Sequence, residues 1–278
     1  MNYLLILFSA FYRRNRSVFD KDLLVVSGLT KRFDEKSLAL DNISFTVKEG
    51  EFLSVLGPSG CGKTTIMRIL IGLTEPTSGK IYMDGVDITD FDSSKRNMGI
   101  VFQNYALFEN MTVLENIEYA LRIRKDTKAD SRERATEMIN RMELTEHTDK
   151  RPGELSGGQQ QRVAIARTLV LNPKIILFDE PMSALDVATR LQLRKELKKI
   201  QYDFGTTMVY VTHDQEEAFS MSDRVMVMSN ARIVQLDTPH NILRDPADQY
   251  VRDFVIKNLK IKIDSLAAYF EDVQNEEN

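Results

Sequence analysis

The stretch Gly57-Pro58-Ser59-Gly60-Cys61-Gly62-Lys63-Thr64-Thr65 carries the spacing G-x-x-x-x-G-K-[ST]. In this spacing loop amides and the first amides of a helix converge on one anion. Glycines let the backbone approach without a side chain in the way. Lys63 adds a full positive charge near the outer phosphates, and the Thr64 hydroxyl sits where it can ligate Mg²⁺. This chemistry is the binding of a nucleotide phosphate, and on its own it suits a kinase, a GTPase or a helicase equally well.

Two further stretches carry chemistry. Phe178-Asp179-Glu180 ends a run that is apolar throughout, so it sets two carboxylates at the carboxyl edge of a parallel sheet, where open α/β folds place their reactions. Asp179 is suited to hold Mg²⁺, directly or through water. Glu180 is suited to polarise an attacking water, an effect typically worth ~10²- to 10⁴-fold in rate. Ser156-Gly157-Gly158-Gln159 reads as a helix N-terminus with Ser156 as cap and Gln159 as its capping-box partner. A cap alone has no use for two glycines that each cost about 0.5–1 kcal/mol. Bare amides at the positive end of a helix form a second anion site.

The elements that must position these groups follow from the apolar pattern. Strands are predicted at Leu23–Val26, Ile43–Val47, Phe52–Leu56, Lys80–Met83, Met98–Phe102, Ile175–Phe178 and Met208–Val211, with a hairpin of Val225–Met228 and Arg232–Gln235 about Asn230. Asp84-Gly85 marks a tight turn. Helices are expected from Lys63 to about Gly72, over the segment after Ser156, from about Ala188 to Tyr202, and from near Asp214. Alternation of strand and helix calls for an α/β fold with a mostly parallel sheet. From Leu107 to about Lys150 strand-like runs vanish, and Val113–Arg124 and Ala129–Met142 show helical spacing, as for a helical insertion. Past Pro239 the chain reads as helical, with an acidic end at Glu276-Glu277-Asn278.

Composition narrows the partners. The 278 residues are 42% hydrophobic, enough for a substantial core. With 37 Lys and Arg against 41 Asp and Glu, no electrostatic reason exists to expect nucleic acid. Cys61 is the single cysteine, which excludes an internal disulfide, suits a reducing cytoplasm and reads as a loop filler. The apolar run Tyr3–Phe8, followed by Arg13-Arg14-Asn15-Arg16, is shorter than the ~20 residues of a spanning helix. Its charge also lies on the wrong side for a signal peptide. It is read as an extension, residues 1–22, ahead of the folded part.

In order and spacing these residues resemble the ATP-binding cassette (ABC) ATPases. The phosphate loop, Leu155–Gln159 as the family's signature, and Ile175–Glu180 followed by Pro181 carry the resemblance, which runs from about Leu23 to Asp245. It implies a P-loop core with an N-terminal antiparallel β subdomain and a helical insertion at about 104–172, an ATPase domain over 23–245 and a helical tail over 246–278. It also selects residues that spacing does not. Gln103 is similar to the glutamine that links Mg²⁺ and the attacking water to the insertion. Ser183-Ala184-Leu185-Asp186 resembles the loop crossing to a second subunit, and His213 the switch histidine at the γ-phosphate. Phe33 falls where an aromatic ring stacks on adenine, although Phe45 lies nearby. Without the resemblance, His147, His213 and His240 read as ordinary histidines. Phe108-Glu109-Asn110 departs from the importer pattern, which often has a proline after the phenylalanine.

Gln215-Glu216-Glu217-Ala218, Thr238-Pro239 and Asp245-Pro246 look like the importers of polyamines, iron(III), sulfate and osmolytes. Many of those carry a further regulatory β-domain, for which the residues past the cassette leave no room. The resemblance implies ATP and Mg²⁺ as ligands and pairing with a second cassette, itself or a homologue, in an ATP sandwich. It further implies integral membrane permease subunits, an extracytoplasmic solute-binding protein reached indirectly, and a peripheral place on the cytoplasmic face of the cell membrane. The alternatives are a soluble cassette ATPase acting on nucleic acid or ribosomes, an exporter ATPase, and a P-loop kinase.

Overall fold

The computed structural model describes residues 22–34, 37–124, 129–182 and 186–264. The expectations for the N-terminal extension, for Ser183-Ala184-Leu185 and for the acidic end lie outside the described residues. Two sheets build the fold. Strands β1 (Asp22–Arg32), β2 (Leu38–Lys48), β4 (Ser78–Met83) and β5 (Val86–Asp87) form an antiparallel sheet in the order β2-β1-β4-β5. Strands β3 (Phe52–Leu56), β6 (Met98–Val101), β7 (Ile175–Asp179), β8 (Thr207–Thr212), β9 (Arg224–Ser229) and β10 (Arg232–Asp237) form the second, in the order β10-β9-β3-β8-β7-β6. All neighbours in it are parallel except β9 and β10.

The apolar runs become central strands because both of their faces are covered. In β8, Met208 and Tyr210 join Phe52, Ile176 and Phe178 in a core shared with the helical region. Val209 and Val211 turn to the other face, where Leu53, Val55 and Leu177 pack with helix α1 (Lys63–Ile71) and the antiparallel sheet. The helical region comprises α2 (Val113–Ile123), α3 (Ser131–Arg141) and α4 (Gly157–Leu169). Helix α2 starts at a Thr112–Glu115 capping box. Beyond β7 come α5 (Val187–Phe204), α6 (Gln215–Met221), α7 (Pro239–Arg244) and α8 (Gln249–Val251). The last runs on as a π-helical segment Arg252–Lys257 and as helix again over 258–264. Among the described residues, no helix is long and apolar enough to cross a membrane.

The structure departs from expectation at the ends of several elements. Strand β1 runs on past Val26 to Arg32, and β2 starts at Leu38 ahead of Ile43, because Lys31 and Arg32 pair with Leu40 and Leu38 through several bulges. Likewise β4 begins at Ser78, which pairs with Thr30, rather than at Lys80. Backbone pairing carries polar residues into a strand where hydropathy shows none. Strand β5 is an unexpected addition, returned against Tyr82 and Met83 by the Asp84-Gly85 turn with φ of 51° and 79°. Both signs match the hairpin turn expected for Asp-Gly.

Candidate functional site

Parallel pairing brings the chemical groups to one edge. Leu56 lies opposite Thr212, Asp179 opposite Val211, and Val101 opposite Phe178. The segments leaving β3, β7, β8 and β6 therefore emerge side by side, carrying the phosphate loop, Glu180, His213 and Gln103 in turn.

The phosphate loop, Gly57 to Thr65, closes onto its own chain. Its cradle, Pro58-Ser59-Gly60, stays at the surface, while Cys61, Gly62 and Lys63 are buried. Lys63 is 4% exposed, and its ammonium donates to the carbonyls of Gly57 at 2.8 Å and Pro58 at 3.0 Å. It also lies 3.7 Å from Glu180 Oε1. Cys61 packs into the core beside α1, and burial pushes its thiol up, which fits a filler and not a nucleophile.

Asp179 is half-buried, and Thr64 is among the groups that favour its charged form. Burial and the neighbouring Glu180 charge push its carboxyl above the usual range, while Arg68, Lys63 and Thr64 pull the other way. Arg68, one helical turn past Thr64, is a contributor that the motif does not mark. Glu180 has a φ of 47°, a left-handed conformation that costs a non-glycine residue ~1–3 kcal/mol. Its amide donates to the Val211 carbonyl at 3.1 Å. The bend turns its carboxylate toward His213, whose Nδ1 lies 3.1 Å from Oε2. Lys63, Thr64, Asp179, Glu180 and His213 thus form one contiguous cluster.

His213 is 56% exposed, and its two neighbours in the chain are pinned. The Asp214 amide donates to Thr212 Oγ1 at 3.0 Å, and Thr212 Oγ1 donates to the buried Glu217 carboxylate at 2.8 Å. Asp214 caps α6 through the amides of Glu216 and Glu217. An Asp followed within three residues by two glutamates is a helix-start signal in the sequence, and it marks Asp214 as the residue that fixes the chain just after His213.

The remaining predicted residues lie on other segments. Gln103 lies exposed just past β6. Phe33 is 61% exposed with Lys31 Nζ 5.1 Å from its ring centroid, while Phe45 is buried at 5%, so only Phe33 offers a ring to a base. The Ser156 turn begins α4 as expected: the Gln159 amide donates to Ser156 Oγ at 3.3 Å, and the Ser156 amide to Gln159 Oε1 at 2.8 Å. Gln159 Nε2 also meets His147 Nε2 at 2.9 Å, a partner that no motif suggested. The bonds of Ser156 and Gln159 stay within the helical region and share no partner with the phosphate loop. Asp186 caps α5, accepting from the Thr189 amide at 3.0 Å and hydroxyl at 2.6 Å.

Comparison with known proteins agrees with this geometry. The family model for ABC transporters matches residues 40–183. The spermidine/putrescine import ATP-binding protein PotA of Nitratidesulfovibrio vulgaris is 48% identical over 237 residues, which cover 85% of this chain and 64% of that protein. Its namesake in Bacillus cereus is 46% identical over 242 residues, covering 87% of this chain and 74% of that protein. The chain therefore spans roughly two thirds of the length of these curated relatives. Among solved structures, cbiO1 from Clostridium perfringens, part of the ABC transporter complex cbiONQ, matches with a TM-score of 0.76 and 28% identity over 90% of this chain and 100% of that one. The motifs, the two-sheet fold and these relatives agree, and the chain belongs to the ABC transporter family.

Proposed function

We propose that this chain is the ATP-binding and ATP-hydrolysing subunit of an ABC importer. The observation that carries the reading is the cluster at the carboxyl edge of the parallel sheet, where the lysine of the phosphate loop, the carboxylates of Asp179 and Glu180 and a histidine meet. Nucleotide phosphates compete for the Lys63 ammonium with the Gly57 and Pro58 carbonyls and with Glu180. Release from Lys63 leaves Glu180 held by His213 as the base that takes a proton from water. Phe33 offers the exposed ring for the base.

The residues fit Mg²⁺. Thr64, Asp179 and Gln103 supply only oxygen or amide donors, as a hard cation prefers. The half-buried Asp179, whose carboxyl sits above its usual range, is short of the positive charge that a cation brings. Mg²⁺ bound there neutralises charge on the outer phosphates.

The second anion site on the Ser156 turn shares no bonds with the first, which supports a pair of cassettes arranged head to tail. Each nucleotide then lies between Lys63 of one copy and Ser156, Gly157, Gly158 and Gln159 of the other, with the segment before Asp186 at the crossing. The insertion beside Gln103 passes the movement to permease subunits, so the chain works from the cytoplasmic face of the membrane with a solute-binding protein outside. The names of the curated relatives support a polyamine as cargo. They speak for import, and neither the nucleic-acid, the exporter nor the kinase alternative gains an observation.

Glu180→Gln tests the reading. The variant should bind ATP and dimerise with it, while hydrolysis falls by about 10²- to 10⁴-fold, as measured by phosphate release and light scattering. Near-wild-type turnover removes Glu180 as base, and a strictly monomeric variant saturated with ATP and Mg²⁺ removes the sandwich.

A further inference from the structure

The C-terminal helix, residues 249–264, reaches the site at three places. Val251 and Val255 share a small apolar core with Leu56, the last residue before Gly57, and with Ala218 of α6. The Tyr250 hydroxyl donates to the Met228 carbonyl at 3.4 Å, and that carbonyl oxygen is also the atom a Cβ on Gly57 would meet at 2.6 Å. Its first turns thus lie behind the phosphate loop.

The other two contacts fall on the switch segment. The carbonyl of Phe254, within the π-helical stretch, accepts from Gln215 Nε2 at 3.1 Å and from Asn258 Nδ2 at 2.9 Å. A π turn changes the pairing of its carbonyls, and such turns often mark places where a helix serves something other than its own ladder. Farther along, Lys262 Nζ lies 3.2 Å from Asp214 Oδ2, while Oδ1 of the same carboxylate holds the amides of Glu216 and Glu217. Burial raises the Asp214 carboxyl, but Lys262 and those amides outweigh it and leave it below the usual range. The residue directly after His213 is therefore clamped between α6 and the C-terminal helix.

We propose that the C-terminal helix is a positioning element for His213, acting through Lys262 on Asp214, so that displacing the helix slows hydrolysis without loosening nucleotide binding. The inference rests on the ATPase reading above. Lys262 is 45% exposed, and an ion pair this open adds little to stability, so the fold does not depend on it. Catalytic geometry is more sensitive than the fold, because a misplacement of about 1 Å at a reacting group can cost ~10²-fold in rate. A contact too weak to hold the protein together is strong enough to aim a histidine. The apolar core shared with Leu56 and Ala218 gives the helix a fixed base from which to do so.

The test uses the full chain, ATP and Mg²⁺. Lys262→Glu places a like charge against Asp214 and should lower kcat by about three- to tenfold while KM stays within about twofold. Lys262→Arg should restore the rate. With three histidines in the chain, the imidazole signals can be followed by NMR: that of His213 should move in Lys262→Glu, while those of His147 and His240 stay. A wild-type kcat in Lys262→Glu overturns the inference, and so does a joint loss of kcat, nucleotide affinity and melting temperature, which would mark a merely structural role. Glu180→Gln in the same assay separates the two levels. If it is inactive and Lys262→Glu is fully active, only the positioning role falls; if it hydrolyses ATP like the wild type, the base assignment falls first.

Discussion

The phosphate loop and the Ser156 turn are both glycine-rich helix starts, yet their glycines answer to different neighbours. At Gly57 a Cβ would lie 2.6 Å from Cys61 Sγ and from the Met228 carbonyl oxygen; at Gly62, with φ of +108°, it would lie 2.5 Å from the Ala39 carbonyl oxygen. The chain's own packing demands glycine at both. At Gly158 the nearest atom to such a Cβ is Leu193 Cδ2 at 3.8 Å, an ordinary contact. Among the described residues nothing crowds that position, so glycine there leaves the turn open to an approach from outside. The loop at Gly57 is closed by its own chain, and the turn at Gly158 is left open, as the head-to-tail pairing proposed above requires.

The largest effect that sharpens this contrast is expected at Lys63. Lys63→Ala removes a charge-assisted donor worth about 1.5–3 kcal/mol, or roughly ten- to a hundredfold in nucleotide affinity. Titration of a fluorescent ATP analogue measures it, and unchanged affinity would take Lys63 out of the site. Because this half-site belongs to one chain, the loss should be the same at protein concentrations where the wild type is monomeric.

The two glycines come next, and here the comparison can be broken outright. Gly62→Ala forces a Cβ against backbone at a left-handed φ, a strain of about 1–3 kcal/mol, and its melting temperature should fall by several degrees. Gly158→Ala should leave stability unchanged or raise it by up to ~1 kcal/mol through helix propensity, yet abolish ATP-driven dimerisation and hydrolysis. If Gly158→Ala turns over at the wild-type rate, the Ser156 turn is an ordinary helix cap and the contrast dissolves.

The parts legible in the sequence were those where one cause acts alone. Ile175–Phe178 reads as a central strand because helices and a second sheet cover both its faces, which leaves no polar position to confuse the pattern. The apolar pattern gives the first strand only over Leu23–Val26, because Lys31 and Arg32 enter the ladder through backbone bonds, to which hydropathy is blind. At the site, Lys63, Asp179 and Glu180 announce themselves through spacing, whereas His213 is an isolated histidine that only the family resemblance picked out. Its structural setting, with Glu180 from the end of the neighbouring strand β7 beside it and Asp214 held by Lys262 of the C-terminal helix, comes from segments remote in the sequence. Phe33 and Phe45 show the same limit: the residue types are identical, but Phe33 falls in the bend just past the end of β1 and stays exposed, while Phe45 sits within β2 and packs into the core.

Asp186 stands between the two cases, and its effect is the smallest. Its carboxylate serves its own chain as the α5 cap, while the family resemblance assigns it to the segment that crosses to a partner. Asp186→Ala should lower the melting temperature by about 2–4 °C through loss of the cap. Asp186→Asn restores the cap, since asparagine serves that position equally well, and the expected outcome is recovered melting with hydrolysis still reduced. A full hydrolysis rate would show that capping accounts for the residue. Acid gives an independent check, because the Thr189 hydroxyl and amide hold the Asp186 carboxyl below its ordinary value of 3.8. A depressed carboxyl stabilises the fold fully above about pH 4 and loses that contribution as pH falls through its own lower value. Wild type and Asp186→Asn should therefore melt together near neutrality, and the wild type should drop below the variant only in acid. A gap already open at pH 7 would mean that the carboxylate's charge, and not its hydrogen bonds to Thr189, governs the stability of this corner.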